Sequence, residues 1–189
     1  MAFGISRTRD ARDQRDAEEF HAFFDQHHRG LSRLAYLLTG ESDAADDLAA
    51  DALLECWRHW GRVCAADSPA AYARGVVANL CRGRIRALTR ERAGLRGFGV
   101  LLRGRETAPG ADVPAVLDVR SALRRLPHRR RACVVLRYAF DLSEKETAQT
   151  LGISVGTVKS QASRGAAQLA ELLAGNPDAP WLVRAGKEG

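Results

Sequence analysis

The sequence contains no run of apolar residues that approaches the roughly 18 needed for a membrane-spanning helix. Arginines occur near the first residue, but no apolar stretch follows them, as it would in a secretion signal. No segment shows the alternation of apolar and polar residues that is typical of a half-buried β-strand. These absences predict a soluble, all-α chain that acts in the cytoplasm and has no membrane partner.

Signals for metal, cofactor and catalytic chemistry are also missing. The four cysteines form no CxxC pair, and none of the five histidines stands at zinc-finger spacing from them. Asp46 and Asp47 are adjacent on a predicted helix and therefore point about 100° apart, which is poor geometry for sharing a metal ion. No glycine-rich phosphate loop is present, and no serine or cysteine stands beside a plausible base. We therefore expect reduced cysteines, no metal, no cofactor and no enzymatic activity.

Positive charge is what the sequence has in excess. The formal net charge is +6 and the isoelectric point is near 9.6. Much of this charge lies in residues 82–105, where a single acid, Glu91, stands among Arg82, Arg84, Arg86, Arg90, Arg92, Arg96, Arg103 and Arg105. A basic segment of this kind favours a nucleic-acid partner.

Helical periodicity divides the chain into two small helical domains joined by a flexible linker. Apolar residues recur at helical spacing in residues 17–92 and again in residues 114–174. The first segment also contains helix-stop and helix-start signals, Thr39-Gly40 and Ser68-Pro69. Glycines and prolines punctuate residues 93–113, where no period survives, which predicts the linker. Residues 1–16 and 175–189 are predicted to be tails, the first of them disordered.

Residues 142–160 predict two short helices around a tight turn. Ser143 and Glu146 suit a capping box on the first helix, Gly152 supplies the turn, and Ser154 caps the second helix. Apolar residues would lock the two helices together and leave the polar side chains of the second one outward. This is the helix-turn-helix pattern, whose second helix enters the major groove of DNA. A helical hairpin without a DNA-binding role is the alternative interpretation.

Two blocks of the sequence resemble one known family, in the right order. The C-terminal block is LPHRRRACVVLRY at 126–138 followed by residues 141–164. It closely resembles region 4 of extracytoplasmic-function (ECF) sigma factors of the sigma-70 family, in particular the SigE-like members from actinobacteria. The N-terminal block is similar to region 2 of the same family through LAYLLTG at 34–40, ADDL at 45–48, Trp57 with Trp60, and residues 72–79.

The resemblance implies a subunit that recruits core RNA polymerase to promoters and assists DNA melting. Region 2 would bind a coiled coil of the largest catalytic subunit through Asp47, Leu48, Asp51, Leu54 and Trp57. It would bind the −10 element through Arg74, Asn79, Arg82 and Arg86, with the Asn79 amide facing an extruded base. Region 4 would bind the polymerase flap region and read the −35 element through Ser154, Thr157, Lys159, Ser160, Gln161, Ser163 and Arg164. An anti-sigma factor is a further partner that many members of the family have.

Several positions depart from the family pattern and leave alternatives open. Ala49-Ala50 stands where the family commonly has a polymerase-contacting glutamine, so a DNA-binding regulator that does not engage core polymerase is a second hypothesis. Leu48 and Trp57 have core packing as an alternative role. Gln161 and Gly165 stand where relatives often carry arginine, which predicts a different −35 preference.

Overall fold

The computed structural model describes residues 3–98 and 114–174, and within these two ranges it contains helices and no strand. The predicted all-α fold is therefore confirmed. The helices are α1 (Phe3–Thr39), α2 (Ser42–Arg58), α3 (Trp60–Cys64), α4 (Pro69–Phe98), α5 (Pro114–Arg125), α6 (His128–Val134), α7 (Glu144–Leu151) and α8 (Val155–Ala174), with a π-helical turn over Val135–Ala139 after α6. None of the described helices combines the length and the apolarity that crossing a membrane requires.

The N-terminal helix is longer than the sequence pattern predicts. Residues 1–16 were predicted to be a disordered tail, but α1 begins at Phe3. The segment contains four arginines and two alanines, which are good helix formers even where nothing is buried. Gln14 also donates a hydrogen bond to Glu18, four residues on, at 3.4 Å. Because helix propagation is far easier than nucleation, the amphipathic part of α1 extends into this polar stretch.

Helices α1, α2 and α4 pack together as the N-terminal half of the molecule. Their facing sides carry fully buried side chains, among them Leu34, Leu38, Leu53, Cys56, Val77 and Cys81. The Ser68 side chain accepts a hydrogen bond from the Ala71 backbone N–H at 3.2 Å, so it caps α4 as its sequence position predicts. Burial raises the pKa of the Cys56 and Cys81 thiols, to about 11 and about 12 respectively.

Helix α4 continues further than the predicted end of the N-terminal domain. It reaches Phe98 and so includes residues 93–98, which were predicted to belong to the linker. Two glycines in this stretch, Gly94 and Gly97, cost about 1 kcal/mol each relative to alanine, but the neighbouring alanine, leucine and arginine residues favour the helix. The remaining part of the predicted linker, residues 99–113, lies outside the described residues, as does the tail 175–189.

Helices α5 to α8 form the C-terminal half. Leu126, Leu136 and Val158 are fully buried between them. Gly165 lies where α8 crosses α6, and a Cβ atom at this position would come within 2.6 Å of Val134 Cγ2. The absence of a side chain at Gly165 therefore permits close packing of the two helices, and the position is buried rather than available to DNA.

The two halves are in direct contact. Helix α4 packs against α7, and the C-terminal part of α1 packs against α5 and α6. Buried apolar residues from both halves join in one continuous cluster. The packing of the two predicted helical domains against each other was not predicted, because helical periodicity carries no information on contacts between residues distant in sequence.

Candidate nucleic-acid and polymerase interfaces

The helix-turn-helix forms by the local interactions that its sequence predicts. Ser143 Oγ accepts a hydrogen bond from the Glu146 backbone N–H at 3.2 Å, and Glu146 Oε2 accepts one from the Ser143 N–H at 2.8 Å. These hydrogen bonds with Ser143 lower the pKa of the Glu146 carboxyl. Gly152 has φ of +62° and ends α7 in the left-handed conformation. Ser154 Oγ then accepts from the Thr157 N–H at 3.2 Å and caps α8.

Helix α8 presents one side to the core and the other to solvent. Val158, Ala162, Gly165, Leu169 and Leu173 are buried. The predicted −35 residues lie on the remaining surface: Ser154, Lys159, Ser160, Ser163 and Arg164 are exposed, and Thr157 and Gln161 are half-buried. The structure therefore brings all seven together along one helix and the turn before it.

On this surface, hydroxyl groups form hydrogen bonds within the protein, whereas the two cations form no salt bridge with the described residues. Ser154 Oγ and Thr157 Oγ1 are 2.8 Å apart, and Ser160 Oγ donates to the Thr157 carbonyl at 3.0 Å. Lys159 and Arg164 form no salt bridge with any of the described residues. The two cations are therefore the side chains on α8 that are most available for phosphates or base edges.

The predicted −10 residues lie along α4. Asn79, Arg82 and Arg86 are exposed and Arg74 is half-buried. Asn79 Oδ1 accepts a hydrogen bond from Arg82 Nη2 at 3.0 Å, which orients the amide. Arg84, on the same helix, instead forms a salt bridge with Glu41 at 2.6 Å. Arginines of similar appearance in the sequence thus have different structural surroundings.

The predicted polymerase-binding residues of α2 separate into two groups. Leu48 is buried in the core of the N-terminal half, which favours core packing, the alternative role that the sequence left open for it. Leu54 and Trp57 are unusually exposed for large apolar side chains, at 46% and 39%. Asp47 and Asp51 are exposed beside them. These four residues form the α2 patch, which lies on the solvent side of the helix because they follow helical spacing.

A cleft between the two halves was not predicted from the sequence. Asn79 and Arg82 of α4 line it together with His128 and Arg129 of α6 and Thr150 and Ile153 of the helix-turn-helix. Burial, with added repulsion from nearby arginines, lowers the pKa of His128 to about 4. The His128 Nε2 atom is buried and has no hydrogen-bond partner among the described residues.

The described residues offer no site for a metal ion. No group of three or more histidine, cysteine, aspartate or glutamate side chains converges in residues 3–98 and 114–174. The four cysteines are free, three of them buried and Cys64 exposed.

Comparison with known proteins is consistent with this geometry. Residues 23–91 match the family model for sigma-70 region 2, and residues 117–169 match the one for sigma-70 region 4. The ECF RNA polymerase sigma factor SigM of Mycobacterium tuberculosis is 36% identical over 168 residues, which cover 84% of this chain and 79% of that protein. The RNA polymerase sigma-E factor of Streptomyces coelicolor is 32% identical over 171 residues, which cover 90% and 95%.

A solved structure shares the fold as well. The sigma factor RpoE from Bartonella quintana, crystallised in complex with the anti-sigma factor NepR, has a TM-score of 0.67 and 24% identity, covering 84% of this chain and 99% of that one. The two helical regions, their order and these relatives define the class: the chain belongs to the ECF group of sigma-70 RNA polymerase sigma factors. It binds core RNA polymerase and directs it to promoters, and sigma factors as a class are not enzymes. The alternative of a regulator that does not engage polymerase is not favoured.

Proposed function

We propose that this sigma factor binds core RNA polymerase through the α2 patch, engages the −10 element through α4 and reads the −35 element through α8. In this proposal residues 17–92 act as region 2 and residues 114–174 as region 4. The chain itself catalyses no reaction, and it works in the cytoplasm, where its polymerase and its promoters are found.

The observation that carries the proposal is the composition of the α2 patch. Leu54 and Trp57 stand 46% and 39% exposed in the C-terminal half of a helix whose other leucines, Leu48 and Leu53, are buried. Asp47 and Asp51 flank them, and neither carboxylate has an ion-pair partner among the described residues. Large apolar anchors with a charged rim are typical of protein-binding surfaces. The acidic rim suits a basic partner helix, which agrees with docking on a polymerase coiled coil.

The side chain of Trp57 is already oriented for binding. Its ring packs against Phe20 of α1 with a centroid distance of 4.9 Å and an interplanar angle of 46°. A side chain that is held by its neighbours loses less conformational entropy on association. Trp57 is therefore the residue of the patch from which we expect the largest single contribution to binding.

The surface of α8 supports −35 recognition. Lys159 and Arg164 project from the solvent side of a helix that begins at a capped turn, and the first backbone N–H groups of such a helix suit a phosphate. Arginine and lysine pair best with guanine, and glutamine pairs with adenine, which gives Gln161 a base-edge role. On α4, the Asn79 amide nitrogen forms no hydrogen bond with any described residue and can donate to an extruded base.

The experiment is a titration of the purified chain with bacterial core RNA polymerase, without DNA and at moderate salt. Leu54→Glu and Trp57→Ala are each expected to weaken binding by about 30-fold or more, because truncated hot-spot residues cost about 2 kcal/mol or more. Trp57→Phe keeps the aromatic contact with Phe20 and serves as the matched control, with a smaller loss. Circular dichroism verifies that each variant is folded. Unchanged affinity in Leu54→Glu and Trp57→Ala would contradict the role of the α2 patch.

An anti-sigma factor is the third partner that we propose. The RpoE structure that shares this fold contains the anti-sigma factor NepR, and a second one contains CnrH with the cytosolic domain of CnrY.

A further inference from the structure

Two exposed side chains of α4, those of Asn79 and Arg82, form one hydrogen-bonded unit. The residues are three positions apart, a spacing that places them on the same side of a helix. Val77 and Cys81, on the opposite side of α4, are fully buried and hold the helix against the core. Arg82 Nη2 donates a hydrogen bond to Asn79 Oδ1 at 3.0 Å. The two side chains therefore meet a ligand together rather than one at a time.

The structure gives this unit no competing partner for the arginine. Arg84, two positions further along α4, forms a salt bridge with Glu41 at 2.6 Å, whereas Arg82 forms no salt bridge with any described residue. A guanidinium has five N–H donors, and the bond to Asn79 uses one of them. Arg82 can therefore hold the Asn79 amide and still donate to a ligand beside it.

The chemistry of arginine decides which atom of the amide faces it. An arginine side chain has donors and no acceptor, so the Asn79 oxygen is the atom that turns toward Arg82, and the nitrogen turns away. An amino group that approached the same oxygen would bring its positive hydrogens next to the guanidinium, which is electrostatically unfavourable. The unit therefore presents neighbouring N–H donors, although an unrestrained asparagine presents one donor group and one acceptor.

The four bases differ in how well they match two neighbouring donors. Guanine has adjacent acceptors at O6 and N7, and an unpaired cytosine has them at N3 and O2. In adenine the N7 acceptor stands next to the N6 amino group, and in thymine O4 stands between the methyl group and an N–H. A base that is extruded from the stack has its pairing edge available for such a contact. Neighbouring donors thus favour guanine and cytosine over adenine and thymine.

We propose that Arg82 is a positioning residue that fixes the Asn79 amide as a donor, so that the pair selects guanine or cytosine at the extruded position of the −10 element. The inference rests on the proposed function, from which it takes the contact between Asn79 and an extruded base. An asparagine without this restraint can pair with N6 and N7 of adenine through its oxygen and nitrogen. The role of Arg82 is therefore to exclude adenine, in addition to any contact with phosphate.

The test is a selection of single-stranded DNA by the holoenzyme, which is the full-length chain bound to core RNA polymerase. Strands of 12 nucleotides with random sequence are captured, sequenced and aligned on their common motif, and core polymerase alone gives the background. The variant Asn79→Ala identifies the position that Asn79 reads, because the base preference should fall there and persist elsewhere. This design requires no promoter sequence in advance.

At the position identified in this way, Arg82→Ala is the decisive variant. The wild-type holoenzyme should recover guanine or cytosine about tenfold more often than adenine, a factor within the range of one good pair of hydrogen bonds to a base edge. Arg82→Ala should lose this discrimination against adenine and keep the preferences at the other positions. Arg82→Lys should restore part of it, since an ammonium group also donates and does not accept but lacks the planar fork of arginine.

Arg86→Ala is the matched control for the loss of a positive charge. Arg86 follows Arg82 by about one helical turn, is exposed like Arg82, and lies close enough to His128 to help lower its pKa, as Arg82 does. It forms no hydrogen bond with Asn79. Removing it should lower the total recovery of DNA, as the loss of a phosphate contact does, and leave the base preferences unchanged. Circular dichroism verifies that all the variants are folded.

The possible outcomes separate this inference from the function on which it rests. Equal base preferences of Arg82→Ala and Arg86→Ala at the Asn79 position would overturn the inference while the contact of Asn79 stands. A wild-type preference for adenine or thymine at that position would overturn it as well. If Asn79→Ala changes the preference at no position, the assignment of Asn79 to the −10 element is itself refuted, and the inference falls with it.

Discussion

Acidification is expected to weaken the contact between the two halves through His128. The ring lies at the start of α6 and faces Arg82 and Arg86 from α4 and Arg131 from its own helix, while the lining residues from α7 carry no charge. Its Nε2 atom is buried and has no hydrogen-bond partner in the described part of the chain. Burial first, and these arginines second, lower the pKa of His128 from 6.5 to about 4. The histidine is therefore neutral at pH 7 and has to be protonated in acid against both effects.

The sign and size of the change in unfolding free energy follow from the difference between the pKa of His128 in the folded and unfolded states. A depressed pKa leaves stability unaffected above pH 6.5, reduces it progressively as the pH falls toward 4, and adds nothing further below that. The interval between 6.5 and about 4 corresponds to at most about 3 kcal/mol. Because the ring is only half-buried, solvent screening reduces this figure, and we expect a loss of about 1 kcal/mol at pH 5.

Urea unfolding of the full chain at pH 7.5 and pH 5 measures this loss. His128→Gln keeps a polar side chain of similar size but cannot be protonated, so it should lose about 1 kcal/mol less than wild type between the two pH values. His21→Gln is the matched control, since His21 is exposed on α1 beside Asp25. Hydrogen exchange should locate the wild-type loss at α4, α6 and α7. Identical pH dependence of wild type and His128→Gln would refute the reasoning.

Three further predictions concern the helix-turn-helix. Ser143→Ala removes the side-chain acceptor of the capping box and should lower the free energy of unfolding by about 1 kcal/mol in urea titration, so an unchanged midpoint would contradict the cap. Gly165→Ala should destabilise the protein through its contact with Val134, whereas Gly156→Ala in the same helix has open space and should gain up to about 1 kcal/mol; equal shifts in thermal melting would disprove the packing argument. Arg164→Ala should cost about 1–3 kcal/mol at one base position of the −35 element in anisotropy measurements, and equal loss on all sequences would reduce its role to a phosphate contact.

Sequence reasoning worked best where the structure is made by near neighbours. The capping box of Ser143 and Glu146, the left-handed Gly152 and the cap at Ser154 all involve residues a few positions apart. Such interactions need no knowledge of the rest of the fold, so the pattern specifies them directly. The same applies to the start of α4 at Ser68-Pro69.

Sequence reasoning was less successful where the burial of a residue depends on which side of its helix packs against another helix. Leu48 and Leu54 are both leucines of α2 and lie six positions apart, yet one is buried and the other is 46% exposed. Helical spacing places them on different sides, but only the packing of α1 and α4 decides which side is covered. The interface between the halves, including the contacts of Gly75 with Thr150 and of Arg131 with Leu38, pairs residues far apart in sequence and leaves no periodic signal. The polar start of α1 was missed because it buries little, although its propensity favours a helix.

The arginines show why composition alone cannot assign DNA contacts in this protein. Arg84 and Arg82 are two positions apart in a basic segment, but Arg84 is bound to Glu41 and Arg82 is bound to Asn79. Arg131 belongs to a second basic run and is buried against backbone carbonyls. Replacing Arg84 or Arg131 therefore disturbs the fold or the interface between the halves, and a resulting loss of promoter binding would be indirect. Only cations that are exposed and lack a carboxylate partner, such as Arg164, can be tested as contacts to DNA by simple substitution.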